Sequence, residues 1–416
     1  MASFTFVCCE CGARYREAEV RYVCPVCARL QASGGTTRGV LRVELDEPPR
    51  RWPAARVHDP AALASFLPVA SPASLPPLRV GGTPLLPVPG LRRRLDMPHL
   101  WVKDDTRNPS GSTKDRASLL VVAKAVEYGC DTVATASTGN AASALAAVAA
   151  AAGLRAAVFV PASAPPAKLV QIASYGASLV PVDGTYDDAF ELSLAACERF
   201  GWYNRNTAFN PFSIEGKKTV ALEIAADLSP DAPHAVIVPA GDGVITAGVA
   251  KGFDDLVRGG MLGRAPRLIV VQPEGSPALA RALRSGAASI VPAPKAASVA
   301  DSLVVSAPRN AAMALAAVRA SRGAGVLVSD EAILDAIGAL ARHTGVFAEP
   351  AAAAALAGLT AALEEGLVGR DERVVLLVTG SGLKDVGAAA RRVRIPAPVE
   401  PDLEAVAGVL GIGKER

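Results

Sequence analysis

Lys114 closes the run Asn108-Pro-Ser-Gly-Ser-Thr-Lys114-Asp-Arg, a turn-rich stretch that leads straight into a helical pattern. A lysine at a helix start sits in the positive end of the helix dipole, which lowers its pKa. An amine so placed is suited to forming an imine with an aldehyde; a solvated surface lysine is the plainer alternative. Two further loops have the same strand-to-helix setting. Ala136-Ser137-Thr138-Gly139-Asn140 gathers hydroxyls, an amide and free backbone N–H groups, which suits a carboxylate, although the same residues also make an ordinary helix cap. In Pro239-Ala240-Gly241-Asp242-Gly243-Val244-Ile245-Thr246 the glycines let the backbone approach a phosphate at a helix N-terminus. Each loop alone is a common turn.

Cysteine supplies a second kind of chemistry. Cys8-x-x-Cys11 and Cys24-x-x-Cys27 are two knuckles separated by twelve residues. Four thiolates so spaced can surround one zinc ion tetrahedrally and stabilise a segment too small for a core of its own. Four sulfur ligands leave no open coordination position, so the expected metal is structural. Five of the seven cysteines fall within the first 27 residues, which is a metal-site pattern in a reducing compartment and not a disulfide scaffold.

The elements that position these groups follow from patterning. Short β-rich runs occur at Thr132–Ala136, Ala156–Val160, Leu179–Val182, Ala235–Val238, Leu268–Val271 and Val374–Val378. Helical runs lie at Ser118–Tyr128, Ala141–Ala152, Ala167–Tyr175, Asp187–Phe200 and Lys217–Ala226. Near-continuous apolar strands alternating with helices predict an α/β fold with parallel sheets, its sites at the carboxyl ends of strands. The expected organisation is a zinc ribbon over 1–45, a proline-rich linker over 46–80 with one short helix near 61–66, an α/β catalytic region of two subdomains over 81–395, and a tail over 396–416. Net charge is +3 with both signs interleaved, so no basic face for nucleic acid is predicted. The alanine run from Asn140 to Leu154 is too short to span a bilayer. The opening MASFTFVCCECG lacks a secretory pattern, which predicts a cytoplasmic location.

In this order and spacing the loops resemble those of the fold type II pyridoxal-phosphate enzymes, and most closely the threonine-synthase-like family. Gly82-Thr83-Pro84 resembles that family's entry strand, Asn108–Arg116 its cofactor-lysine motif and Ser137–Asn140 its carboxylate loop. Asn210-Pro211 with Glu215-Gly-Lys-Lys-Thr219, Glu349-Pro350-Ala351 and Thr379-Gly-Ser-Gly-Leu-Lys-Asp385 resemble further segments of the family. The resemblance implies two parallel-sheet α/β domains, pyridoxal 5′-phosphate carried on Lys114, a structural zinc in the ribbon, a small amino-acid substrate and a homodimer. It also implies roles. Lys114 would carry the cofactor and shuttle protons, and Asn140 would bond the cofactor's ring oxygen. Ser137, Thr138 and Gly139, with Asn140, would hold the substrate carboxylate. Gly241, Asp242, Gly243, Val244, Ile245 and Thr246 would cradle the cofactor phosphate, and Thr379 would face the pyridine nitrogen.

The departures from the family pattern concentrate where a second, substrate phosphate would bind. Ala141, Ala208 and Ser213 stand where the family has a threonine, a serine and an arginine; Asp242 replaces an asparagine, and Ser381 a histidine. Losing an arginine from a phosphate site removes charge-assisted hydrogen bonds worth roughly 1.5–3 kcal/mol each. The expectation is weak binding of O-phosphohomoserine unless Arg205, Lys217 or Lys218 restores the charge. Three readings stay open. One is conversion of O-phosphohomoserine and water to threonine and phosphate, and another a related lyase such as a hydroxy-amino-acid dehydratase or β-replacement enzyme. The third is a non-catalytic binding protein.

Overall fold

The structure is a computed structural model and describes residues 3–32, 34–53 and 59–412. The parts of the expected ribbon, linker and tail at 1–2, 33, 54–58 and 413–416 lie outside the described residues. Among these, the strands form three sheets. The larger central sheet runs in the order Ala324–Val328, Arg267–Pro273, Ala235–Pro239, Val374–Val378, Leu100–Asp104 and Leu85–Pro87. All neighbours are parallel except the Leu85–Pro87 edge, which is antiparallel. A second, fully parallel sheet has the order Ser178–Val182, Arg155–Pro161, Thr132–Ala136 and Tyr203–Asn204. A small antiparallel sheet pairs Phe4–Cys8 with Arg14–Tyr15 and with Leu41–Leu45.

Helices cover both faces of the larger sheet. Helices Asp330–Thr344 and Pro350–Glu364 pack on one side, where Val102, Ile237, Ile269, Leu376, Ile337 and Leu359 are all buried. Helices Thr219–Asp227 and Val244–Arg258 pack on the other with Val236, Val270, Leu377, Ile224 and Phe253. The proline-rich segment contributes to this second core, since Leu63 and Phe66 of a short 3-10 turn are buried in it. The run read as one helix over Lys217–Ala226 is two, Phe212–Lys217 and Thr219–Asp227, broken at Lys218. The helix Leu403–Leu410 buries none of its residues. No helix among the described residues is long and apolar enough to cross a membrane.

A buried ionic network fixes the helix that begins with Lys114. Arg116, fully buried, donates to both oxygens of Asp105 (2.7 and 2.8 Å), both of Glu223 (2.6 and 2.9 Å) and Thr219 Oγ1 (2.9 Å). Lys103 Nζ lies 2.8 Å from Glu223, whose Oε1 accepts from Gly82 N. Four segments between Gly82 and Glu223 are thereby locked together. The two cations hold the Glu223 carboxyl well below the usual carboxylate range despite its burial. A depressed carboxylate contributes stability above its ordinary pKa that disappears as pH falls through the folded value. Removing one member leaves buried charge unpaired, so Arg116→Met is expected to cost about 3–5 kcal/mol, read as a lowered denaturant midpoint. A midpoint unchanged from wild type would contradict this.

Candidate active site

The Lys114 loop is bound on both sides. Gly81 N donates to Asn108 Oδ1 (2.9 Å), and Asp115 accepts from Ser110 N (2.7 Å) and Ser110 Oγ (2.5 Å). Thr113 N donates to Thr379 O at 2.8 Å, which sets the loop against the carboxyl end of Val374–Val378. Gly111 supplies the left-handed turn, at φ +83°. Lys114 then opens helix Lys114–Glu127, as its motif predicts. Its pKa is lowered, with burial the largest cause and the nearby Arg205 adding to it, while Glu349 and Asp242 act oppositely. Burial therefore favours the neutral amine.

Across the cleft, Thr132–Ala136 delivers Ser137, Thr138 and Gly139, all partly accessible, and helix Asn140–Ala151 begins at buried Asn140. Thr138, Gly139 and Asn140 line a cleft of about 900 Å³ together with Ser110, Glu349 and Lys384. Lys384 Nζ donates to Ser143 Oγ (3.0 Å) and Gln171 Oε1 (2.8 Å), tying the Thr379–Asp385 loop to the other sheet's helices.

The glycine loop after Ala235–Pro239 leads into helix Val244–Arg258. Gly243 has φ +84°, and a side chain there would strike Ala314 Cβ at 2.7 Å; one on Gly241 would lie 2.9 Å from Ser302 O. The first N–H groups of this helix have no intrahelical partner. The buried Thr246 Oγ1 has no hydrogen-bond partner among the described residues, nor have Ser112 Oγ, Thr113 Oγ1 and both side-chain polar atoms of Asn310. Asp242 Oδ1 accepts from Arg309 N at 2.9 Å; burial pushes this carboxyl up, against the pull of Arg309, Lys114 and Lys217. Asn310 and Arg309 belong to a long connection with no motif to mark them.

Three cations were open as substitutes for the missing arginine. Lys218 is consumed: it pairs with Glu215 and, at 2.8 Å, with Asp255, in a buried cluster that Lys251 completes. Arg205 is different. It is fully buried, its Nε makes one long contact to Ser118 Oγ (3.4 Å), and both Nη nitrogens lack any partner among the described residues. Burial lowers its pKa to about 10. Lys217, also buried, donates to Ser213 O at 3.1 Å, and burial followed by the charges of Arg205 and Lys114 depresses its pKa strongly. Ala208 lies in an apolar cluster with Val40, Ile214 and Val244, at φ +62°. Ser213 Oγ donates to Arg205 O at 3.2 Å. An arginine at 213 would thus bring a second guanidinium into a fully buried place whose neighbour already carries one.

Residues 77–380 match the family model described as pyridoxal-phosphate dependent enzyme. The chain belongs to that family. It is 34% identical over 404 residues to the threonine synthase of Methanocaldococcus jannaschii, covering 97% of this chain and 98% of the relative. It is 36% identical to the threonine synthase of Methanosarcina acetivorans, covering 96% of each. Its fold is similar to that of processed threonine deaminase isoform 2 from Solanum lycopersicum, with TM-score 0.62, 23% identity, and 80% and 83% of the two chains covered. It is similar also to diaminopropionate ammonia lyase from Escherichia coli, with TM-score 0.65, 19% identity, and 82% and 94% covered. The enzyme is therefore a pyridoxal-phosphate-dependent lyase of fold type II with a threonine-synthase-like role. Its residues fit the cofactor: a buried lysine of lowered pKa stands beside a glycine cradle with an unpartnered threonine hydroxyl.

At the N-terminus the sulfurs of Cys8, Cys11, Cys24 and Cys27 lie within 4.8 Å of one another. The Cys8–Cys27 and Cys11–Cys24 separations are both 3.8 Å, the edge of a tetrahedron with zinc–sulfur bonds of about 2.3 Å. The donor set fits a metal ion.

Proposed function

We propose that the enzyme converts O-phosphohomoserine and water to threonine and phosphate. The observation that carries this reading is Arg205, a buried guanidinium with two unpartnered nitrogens, near enough to Lys114 and Lys217 to perturb both. A buried unpaired charge costs several kcal/mol, and a dianionic substrate group gives it a partner. Ala141 and Ser213 then mark a phosphate site rebuilt from other residues, not one that is lost.

Bound at Lys114, pyridoxal phosphate supplies an electron sink that makes the hydrogen on an amino acid's α-carbon acidic. Around it Lys114 takes and returns protons as the neutral amine that burial favours. Ser137, Thr138 and Gly139 present donors to the substrate carboxylate at the start of a helix, where the dipole favours an anion. Asn140 would hold the cofactor's ring oxygen, Thr379 would offer a neutral partner to the ring nitrogen, and Gly241–Thr246 would cradle the phosphate, with Asp242 tied to Arg309. Arg205 and Lys217 anchor the distal phosphate and, when it leaves, stabilise the departing dianion. A single preparation assayed with O-phosphohomoserine, threonine and serine, recording phosphate, ammonia and 2-oxo acid together, tests the reading. Phosphate released with equimolar threonine supports it. Ammonia and 2-oxo acid from threonine or serine alone would replace it with a hydroxy-amino-acid dehydratase.

The reading includes one structural zinc on Cys8, Cys11, Cys24 and Cys27, in a homodimeric cytoplasmic enzyme. Chelation is expected to lower the melting temperature and leave turnover per folded site unchanged. Loss of turnover with melting and cofactor absorbance intact would make the metal catalytic instead.

A further inference from the structure

Glu349 opens helix Pro350–Glu364, yet its carboxylate makes no capping bond to that helix. It reaches across the cleft and accepts from Asn140 Nδ2 on both oxygens, at 2.8 and 3.1 Å. The backbone holds it there: Glu349 N donates to Gly380 O at 3.0 Å, and a side chain on Gly380 would collide with the carboxylate. Only 6% of Glu349 is exposed. A buried carboxylate that forgoes its own helix N-terminus for an amide 209 residues away is positioned, not incidental.

We propose that Glu349 is a positioning residue for the reaction: its carboxylate fixes the rotamer of the Asn140 amide and supplies the negative charge that stabilises a cation at Lys114 Nζ. The proposal rests on the reading of Lys114 as the cofactor lysine. With Nδ2 held by Glu349, the plane and rotamer of the Asn140 amide are fixed, which sets where it meets the cofactor's ring oxygen in that reading. The charged groups facing the carboxylate are Lys114, Lys384 and Asp385; burial raises its pKa, and Asn140 and the two lysines oppose the rise. The same segment brings it to Lys114: Glu349 N donates to Gly380 O, Gly380 is bridged to Ser112, and Thr113 N donates to Thr379 O; Glu349 is accordingly the largest influence raising the pKa of Lys114.

The test uses the cofactor-loaded full chain and the variants Glu349→Gln, Glu349→Asp and Glu349→Ala. The apparent pKa of the visible absorbance band is read from a pH titration, and the cofactor dissociation constant from fluorescence quenching. A negative charge beside a cation raises the cation's pKa, so removing it must lower the titration midpoint. Glu349→Gln is expected to lower it by about one unit or more, Glu349→Asp to restore it, and Glu349→Ala also to weaken cofactor binding. Loss of the cofactor in Glu349→Gln with retention in Glu349→Asp supports the charge requirement as well. Titration of Glu349→Gln at the wild-type midpoint overturns the proposal, and so does equal loss of cofactor in all three variants. Absence of the band from wild type would overturn the cofactor reading itself, a result distinct from either.

Discussion

Lys114→Ala is expected to abolish turnover, by at least about 10⁴-fold, and to remove the visible band of the loaded enzyme while the chain still folds. The loss is large because one group does two things. On the proposed reading it carries the cofactor covalently, and once displaced it is the base placed to move protons. Folding survives because what holds this helix in place is the Arg116 network and the Asp115–Ser110 bonds, not the lysine. Removing a buried lysine of lowered pKa relieves its desolvation and its repulsion with Arg205 and Lys217 but also ends its attraction to Glu349 and Asp242. The melting temperature of the cofactor-free variant is therefore expected to stay close to that of cofactor-free wild type. Turnover within tenfold of wild type would remove Lys114 from the mechanism.

Arg205→Met separates binding from folding. On the proposed reading two charge-assisted hydrogen bonds to the substrate phosphate disappear, worth roughly 1.5–3 kcal/mol each, so kcat/KM for O-phosphohomoserine is expected to fall by about 10²-fold or more. The cofactor-free protein should at the same time become more stable, because an unpaired buried charge is exchanged for an apolar side chain of similar size. Opposite movements of activity and stability are the signature of a charge retained for a ligand. An Arg205→Met enzyme with undiminished kcat/KM would transfer the phosphate site elsewhere. Ser213→Arg is not expected to improve it.

Much of this frame was legible in the sequence because parallel strands buried on both faces read as apolar runs, and all six runs singled out contain strands. Two parallel strands of the larger sheet escaped for physical reasons. Leu100–Asp104 ends in Lys103 and Asp104, polar residues whose burial is satisfied by Glu223, Asp227, Thr83 and the adjoining turn. Ala324–Val328 carries Gly325, required because a side chain there would strike Ala280. Lys218 sat inside an apparent helix, and only the packed structure shows its ammonium drawn between Glu215 and Asp255.

The site divided along similar lines. Lys114, Asn140 and the Gly241–Thr246 loop could be located because strand-to-helix turns have local signatures. The perturbations of Lys114 could not, since they come from burial, then from Glu349 and Arg205, which are 235 and 91 positions away by sequence number. Nor could a sequence distinguish Arg205 from Lys218, as candidate phosphate partners, when the difference is that one cation found carboxylates and the other found none among the described residues. Glu349 was visible as part of a motif, but its role depends on a bond across the cleft to Asn140.

The most direct test of the account is borohydride reduction of the cofactor-loaded wild-type enzyme, followed by peptide mapping. Lys217 makes the measurement discriminating, because it too is a buried lysine of strongly lowered pKa beside the same cradle. The account predicts the reduced cofactor on the peptide containing Lys114 and on no other. A label on Lys217, or on any lysine but Lys114, would contradict it.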